Sequence, residues 1–298
     1  MKAVCEALGV ARSNMAASLK SPIEKPLKGV GRAPAPDDDL VAAIKAIIGD
    51  QPTYGYRRVW AMLRRAAVSE GRPPVNHKRV HRVMKAHGLL LQRHAGGAEQ
   101  RRHDGRIAVE RSNLRWCSDG FELACDNGEK VRVAFALDCC DREAMAFVAT
   151  TQGIKGEDVR DLMVASVESR FGQVNRLPQT IEWLSDNGSG YIAKETKAFA
   201  REIGLEPLTT PVTSPQSNGM AEAFVRTIKR DYARVNPTPD ASTVLKSLPQ
   251  WFDHYNDVHP HSALRYRSPR QFIAAHSNRE TVGCSVATIG RTVWSRIQ

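Results

Sequence analysis

The order of strand and helix patterns between residues 114 and 232 restricts the fold more than any other feature of the sequence. Three alternating apolar stretches come first, and the turn Asp126-Asn127-Gly128 joins the first two as a hairpin. Helical and strand patterns then alternate as far as a helix that carries Glu222. A strand meander followed by alternating helices and strands predicts an α/β domain built on a mixed sheet. The predicted strands are Leu114–Leu123, Lys130–Leu137, Met145–Ala149, Ile181–Leu184 and Leu205–Leu208.

Three carboxylates occupy informative positions in this pattern. Asp119 lies inside the first strand, where aspartate is disfavoured, and Asp186 ends the fourth strand. Glu222 follows Asp186 after 35 intervening residues. If the first and fourth strands are neighbours, both aspartates reach one edge of the sheet. Carboxylates bind Mg²⁺, and two such ions about 3.5–4 Å apart support in-line displacement at phosphorus. The sequence therefore predicts that Asp119, Asp186 and Glu222 form a catalytic, metal-binding triad.

Each of these acids also has an ordinary explanation. Asp186 opens a sequence that is typical of a generic turn. Glu222 and Arg226 are spaced as an i, i+4 ion pair on a solvated helix face. The acids that compete with Asp119 for the first position are Glu122, Asp126 and Asp138.

The helix around Glu222 has two distinct faces. One is an apolar stripe at helical spacing, from Ala221 to Tyr232. The other carries Glu222, Arg226 and Lys229. This spacing predicts a carboxylate on a metal ion with two cations directed towards nearby phosphate groups.

Positive charge is concentrated in the first third of the chain. Residues 1–110 contain 20 Lys and Arg against 10 Asp and Glu, a net charge of +10, whereas residues 111–298 contain 23 against 22, a net of +1. Such a segregated charge favours a polyanionic partner that binds the N-terminal third.

Residues 40–93 contain three helical patterns. The third begins after Asn76, a plausible N-cap, and places cations at its first turns. Any small helical bundle fits three short helices, but the charge distribution favours a DNA-binding helix-turn-helix. The predicted DNA contacts in this region are Arg57, Arg58, Lys78, Arg79 and Arg82.

The chain is therefore expected to divide into five parts. These are an N-terminal arm with a partial helix-turn-helix and a linker (1–39), a helix-turn-helix domain (40–93), a basic linker (94–111), a catalytic core with a C-terminal helical segment (112–275) and a tail (276–298). The six cysteines form no C-x-x-C pair, which argues against a zinc site. No apolar run approaches the ~18 residues of a membrane span, and no phosphate-binding loop motif is present.

Several motifs, taken in order, resemble the D, D-35-E core that retroviral integrases share with bacterial insertion-sequence transposases. The core motifs are Trp116–Phe121, Trp183–Gly188 and Ser214–Glu222, and Lys229 matches the basic residue that this family carries seven places after the glutamate. Tyr54–Trp60 and Tyr255–Pro269 are similar to the segments that flank the core in OrfB-type transposases. The resemblance covers about residues 40–275.

This resemblance implies a mixed five-stranded RNase H-like sheet with flanking helices, preceded by a small all-α helix-turn-helix domain. It implies a DNA transposase that uses two Mg²⁺ or Mn²⁺ ions to cleave and join strands at insertion-sequence ends by transesterification. It also implies double-stranded DNA partners (element ends and target), a homo-oligomer on DNA, fusion with an upstream frame product and a bacterial cytosolic or nucleoid location.

Some positions depart from the family pattern. Gly120 and Phe121 follow the first acid where many members have a threonine two places on, and Val258-His259 stands where an arginine often precedes Pro-His. No His/His/Cys/Cys module occurs near the N-terminus, which argues against a retroviral integrase proper. Two other functions remain open on the sequence: a catalytically inactive DNA-binding regulator, and an RNase H-like structure-specific nuclease that does not join strands.

Overall fold

The structure is a computed structural model that describes residues 2–7, 9, 36–92, 109–209 and 219–277. The chain divides into two compact units, residues 1–40 and 41–298. In the first unit α1 spans Lys2–Ala7. Most of the partial helix-turn-helix predicted for residues 2–20, most of the linker at 94–111 and most of the tail lie outside the described residues.

The three helices predicted for residues 40–93 are present as α2 (Asp38–Asp50), α3 (Tyr56–Ser69) and α4 (His77–Ala86). The cap at Asn76 is confirmed, because its side chain accepts a hydrogen bond from the Lys78 backbone N–H at 2.9 Å. Val80 and Met84 are fully buried on one face of α4, which leaves its cations on the other.

The sheet has the predicted mixed, five-stranded form. Its strands are β1 (Arg115–Ala124), β2 (Lys130–Asp138), β3 (Ala144–Thr150), β4 (Ile181–Ser185) and β5 (Leu205–Thr209). The spatial order is β3-β2-β1-β4-β5, with β1, β2 and β3 antiparallel and β4 and β5 parallel to β1. This arrangement is the RNase H-like sheet that the sequence led us to expect.

Helices cover both faces of the sheet. On one face α5 (Gly156–Phe171), α6 (Ser189–Ile192) and α7 (Lys194–Glu202) pack over a core that includes Trp116 and Trp183. On the other face α8 (Gly219–Ile228) and α9 (Ala241–Asp257) pack over a core that includes Phe135 and Phe224, whose ring centroids are 4.4 Å apart. The sheet is therefore the middle layer of three.

The helix that carries Glu222 differs from the prediction at its C-terminal end. The sequence predicted one α-helix through Lys229, but α8 ends at Ile228 and Lys229–Ala233 form a π-helical turn. Tyr232 stays buried in spite of the wider turn. Beyond α9, residues 262–264 form a 3₁₀ turn and residues 269–277 are helical.

Two further expectations can be compared with the described residues. None of their helices combines the length and the apolar character that a membrane crossing requires. Their five cysteines are free thiols, four of them buried. Free buried cysteine behaves as a small hydrophobe.

Candidate active site

The parallel pairing of β1 with β4 brings the first two acids together. Trp116 pairs with Trp183 and Cys117 with Leu184, a constant offset of 67 residues. The same offset, continued two residues further, places Asp119 opposite Asp186. Neighbouring strands are about 4.8 Å apart, so both carboxylates lie at one end of this strand pair. The first and fourth strands are therefore neighbours, which is the condition under which both aspartates reach one edge of the sheet.

Glu222 approaches the same place from the helical layer. Asp119 alternates with Cys117 and Phe121 on β1, and these two residues belong to the core that contains Phe224 of α8. Burial raises the pKa of Asp119 to about 6, the Gly120 N–H opposes this rise, and the negative charges of Asp186 and Glu222 add to it. Asp119 is therefore partly desolvated and faces two other carboxylates.

The turn after β4 holds Asp186 in place. Its Oδ1 accepts a hydrogen bond from the Gly188 backbone N–H at 3.0 Å. A Cβ at position 188 would lie 3.0 Å from that same oxygen, which explains why glycine fits here. Asp119 is held similarly by the Gly120 N–H at 2.7 Å. Backbone donors thus orient both carboxylates.

Tyr191, buried in the core that contains Trp116 and Trp183, is a neighbour of the acids that the sequence did not reveal. Its hydroxyl is 2.8 Å from the Ser118 hydroxyl, beside the first acid. Burial raises the pKa of Tyr191, the hydrogen bond with Ser118 lowers it, and the charges of Asp119 and Asp186 raise it further. The phenol is therefore a neutral neighbour of both aspartates. Since α6 has only four residues, no periodic pattern pointed to it.

The chemistry of this donor set fits a divalent cation. Three carboxylates are near one another, and none forms an ion pair with a cation in the described part of the chain. Within residues 2–7, 9, 36–92, 109–209 and 219–277, however, no three His, Cys, Asp or Glu side chains are already gathered as metal ligands. The carboxylates are thus adjacent without forming a ready-made ligand cluster.

The three competing acids have structural partners instead. Glu122 pairs with Lys130 at 2.8 Å, and Asp126 lies in the hairpin turn. Asp138 is fully buried, accepts the Asn113 N–H at 2.7 Å and lies 3.9 Å from Arg170. Asp119 therefore stays the candidate for the first acid.

The cations predicted to meet DNA lie in different environments. Arg226 and Lys229 are exposed, and the Lys229 Nζ lies 6.0 Å from the centre of the Phe121 ring on β1. Lys78 and Arg82 are exposed on α4, Arg79 is half-buried, and Arg57 is exposed on α3.

The prediction for Arg58 needs revision. Its Nη1 forms an ion pair of 2.9 Å with Asp231, a fully buried carboxylate in the π-helical turn. The neighbouring Tyr54 hydroxyl is 3.0 Å from Nδ1 of His259, and both side chains are 1% exposed. Arg58 is therefore a link between α3 and the segments that follow the core. The reason is a partner 173 residues away, which no local pattern shows.

Comparison with known proteins agrees with this architecture. Residues 36–95 match the model of an HTH-like domain, and residues 109–215 and 203–269 match two models of an integrase core domain. The chain is 57% identical over 239 residues to the transposase InsD of insertion element IS2A/D/F/H/I/K from Escherichia coli. The aligned segment covers 80% of this chain and 79% of that protein.

Similar solved structures have much lower identity. The simian T-cell lymphotropic virus intasome in complex with the PP2A regulatory subunit B56 gamma matches 77% of this chain and 73% of that chain, with 14% identity and a TM-score of 0.45. The HTLV-2 integrase catalytic core domain in complex with magnesium matches 54% and 96%, with 12% identity and a TM-score of 0.39. On the strength of the sequence identity and the domain matches, this chain belongs to the family of insertion-element transposases that combine an HTH-like domain with an integrase core domain.

Proposed function

We propose that this transposase cleaves and joins DNA strands at the ends of its element, and that Asp119, Asp186 and Glu222 form its metal-binding catalytic site. The observation that supports the proposal is the parallel pairing of β1 with β4, whose offset of 67 residues, extended two residues beyond the last pair, relates Asp119 to Asp186. The charge of Glu222 acts on the same carboxyl.

The position of each acid in the fold suggests its role in holding the metal ions. Asp119 and Asp186, each fixed by a backbone N–H, would share one Mg²⁺ or Mn²⁺ ion, and Glu222 on α8 would complete the site. Such ions supply an activated attacking oxygen and a stabilised leaving oxygen when they are bound. Mutual repulsion among three carboxylates favours the binding of a dication, because the cation relieves it.

The exposed cations suit the DNA on either side of the reacting phosphate. Lys229 and Arg226 lie on the helix that carries Glu222, so we assign them to phosphates near the scissile bond. Lys78, Arg79 and Arg82 lie within the first six residues of α4, and the N-terminal residues of a recognition helix meet the major groove. Arg57 is the remaining candidate on α3.

The joining of DNA strands also has a consequence for the number of protein copies on the DNA. An element has two ends, whereas one chain carries one acid triad. We therefore propose a homo-oligomer on double-stranded DNA, with each copy placing one end. Light scattering of the protein with and without end DNA measures the stoichiometry directly, and a complex with one chain per two ends contradicts this part of the proposal.

The catalytic assignment is tested by Asp186→Asn. We expect this variant to bind a labelled end duplex as the parent does, and to lose both Mg²⁺-dependent cleavage and strand joining. The matched control is Asp126→Asn, which makes the same chemical change in the hairpin turn and should leave both activities unchanged. Full joining by Asp186→Asn would disprove the assignment.

The same assay separates the alternative functions. A catalytically inactive DNA-binding regulator would leave the DNA uncut whichever metal ion is added. A nuclease would produce free DNA ends without joined strands. Joined products that require all three acids support the transposase mechanism against both.

A further inference from the structure

A groove between the helix-turn-helix domain and the segment after α9 carries an unusual amount of positive charge. It has a volume of about 470 Å³ and is lined by Trp60, Arg64 and Arg65 of α3 and by Arg265, Tyr266 and Arg267. No aspartate or glutamate lines it. Within the described residues, Arg64, Arg265 and Arg267 form no ion pair. Like charges brought together without a counter-charge favour an anionic occupant.

The fourth arginine fixes the shape of the groove. The guanidinium of Arg65 donates to the backbone carbonyls of Val258 at 2.5 Å and Tyr266 at 2.6 Å. It thereby ties α3 to the loop on the opposite wall. The Tyr266 N–H also donates to the His261 carbonyl at 2.7 Å, which closes the loop on itself. The two walls are therefore held at a set separation.

The loop holds its arginines in an uncommon backbone conformation. Arg265 and Tyr266 have φ values of +56° and +62°, and both are bulky residues in the left-handed region. Consecutive strained residues persist only where the surroundings impose them, and they concentrate at functional positions. Glycine would adopt this turn without strain, so the presence of arginine indicates a use for its side chain.

The groove is continuous with the predicted DNA-reading helix. The Trp60 indole N–H donates to the Val75 carbonyl at 2.9 Å, and its ring lies 5.8 Å from that of His77, the first residue of α4. On its other side Trp60 meets the Tyr266 ring at 5.8 Å, and the Arg64 guanidinium lies 5.6 Å from its centre. A strand that passes the start of α4 is thus led towards Arg64 and then the loop.

We propose that this groove binds the sugar-phosphate backbone of double-stranded DNA next to the stretch read by α4, with Arg64, Arg265 and Arg267 each contacting a phosphate. The proposal rests on the DNA-binding role proposed above, and it adds a contact that links the DNA-reading domain to the C-terminal side of the catalytic core. Phosphate contact needs no particular base sequence, so any duplex can serve as the probe.

The test measures the salt dependence of binding. Full-length protein is titrated onto a fluorescently labelled mixed-sequence duplex at several KCl concentrations, and log K is plotted against log [KCl]. Each phosphate contact contributes about 0.9 to the slope. We expect Arg64→Gln/Arg265→Gln/Arg267→Gln to reduce the slope by about 2.7. The control Arg176→Gln/Arg201→Gln/Lys246→Gln removes the same charge from exposed positions and should change the slope by less than about 0.9.

A single variant guards against misfolding of the triple one. Arg265→Gly removes the cation and suits the left-handed backbone, so we expect an unchanged melting temperature and a slope smaller by about 0.9. If both groove variants keep the parental slope, the groove proposal is overturned. The result is independent of catalysis, because Asp186→Asn should keep the full slope while it loses joining.

Discussion

The contact between Tyr54 and His259 provides a sharp test of how the helix-turn-helix domain is held to the rest of its unit. The perturbation is Tyr54→Phe, which removes one hydroxyl and keeps the ring. That hydroxyl lies 3.0 Å from Nδ1 of His259, across 205 residues of sequence. Both side chains are 1% exposed, so water cannot replace the lost partner.

The expected magnitude follows from the group that is left behind. Burial, together with the nearby positive charges, holds the pKa of His259 well below its usual value, so the imidazole is neutral at pH 7. Its Nδ1 would then be buried without a hydrogen bond, which costs about 1–3 kcal/mol. The apolar area buried by the ring barely changes. We therefore expect the free energy of unfolding to fall by about 1–3 kcal/mol.

Tyr56→Phe is the matched control. Its hydroxyl accepts a hydrogen bond of 2.9 Å from the exposed Arg57, and its ring packs edge-on to His81 at 4.8 Å. Solvent can replace this bond, so the expected loss is within about 0.5 kcal/mol. Urea denaturation at pH 7, followed by circular dichroism, measures both variants.

Hydrogen exchange locates the effect. If the bond ties α3 to the segment after α9, the amides of α3 and of residues 258–266 should exchange faster in Tyr54→Phe, and those of β1 and β2 should not. Equal losses of stability in the two variants, or faster exchange spread over the sheet, would refute the reasoning.

Three other substitutions test separate parts of the structure. Arg170→Met leaves Asp138 and Asp141 buried without their cation, so unfolding free energy should fall by about 3–5 kcal/mol at pH 7, as urea denaturation would show. Burial and the neighbouring Asp141 raise the pKa of Asp138 to about 6 and Arg170 opposes this rise, so the pKa lies higher in the variant; the variant takes up the proton at a higher pH than the parent, and the deficit should shrink as the pH falls towards about 6. His261→Asn should change the pH dependence in the opposite direction: burial lowers the pKa of His261 to about 3, so this side chain makes the parent lose about 1.4 kcal/mol per pH unit below about 6.5, and the loss in the variant should be smaller by that amount because only His259 still contributes. Equal slopes in parallel denaturations would contradict this. Gly204→Ala, at a φ of +96° with its new Cβ 3.0 Å from that of Leu177, should lower the melting temperature, whereas Gly49→Ala, in open space in α2, should not.

Local sequence patterns were sufficient for most of the sheet. The hairpin at Asp126-Asn127-Gly128 and the alternation on both sides of it predicted β1 and β2 to within one residue at each end. Asp119 stood out because aspartate inside a strand needs a reason. The sequence predicted that Asp119 lies near Asp186 if the first and fourth strands are neighbours. The parallel pairing of β1 with β4 meets that condition.

Other features depend on contacts that no local pattern contains. Arg58 looked like one more exposed cation on a basic helix, but its partner Asp231 lies in a segment far along the chain. The π-helical turn at Lys229 was missed for another reason. Ile228 and Tyr232 are buried in a π-turn as they would be in an α-helix, so the apolar period does not distinguish the two.

Asp138, which is fully buried, and Asp119, which is half-buried, differ in how the fold compensates their charge. Burial is the main cause that raises the pKa of both Asp119 and Asp138 to about 6. Backbone N–H groups and Arg170 stabilise the negative charge of Asp138, so the fold itself compensates this charge. Asp119 has the N–H of Gly120, but the other charges that act on it are those of Asp186 and Glu222, which repel it. A carboxylate that the fold buries and leaves uncompensated is unfavourable on its own account, and it becomes favourable when a cation from solution binds beside it. Among the residues that the structure describes, Asp119 has no cationic partner, and this difference from Asp138, more than burial, supports the assignment of Asp119 to the proposed metal site.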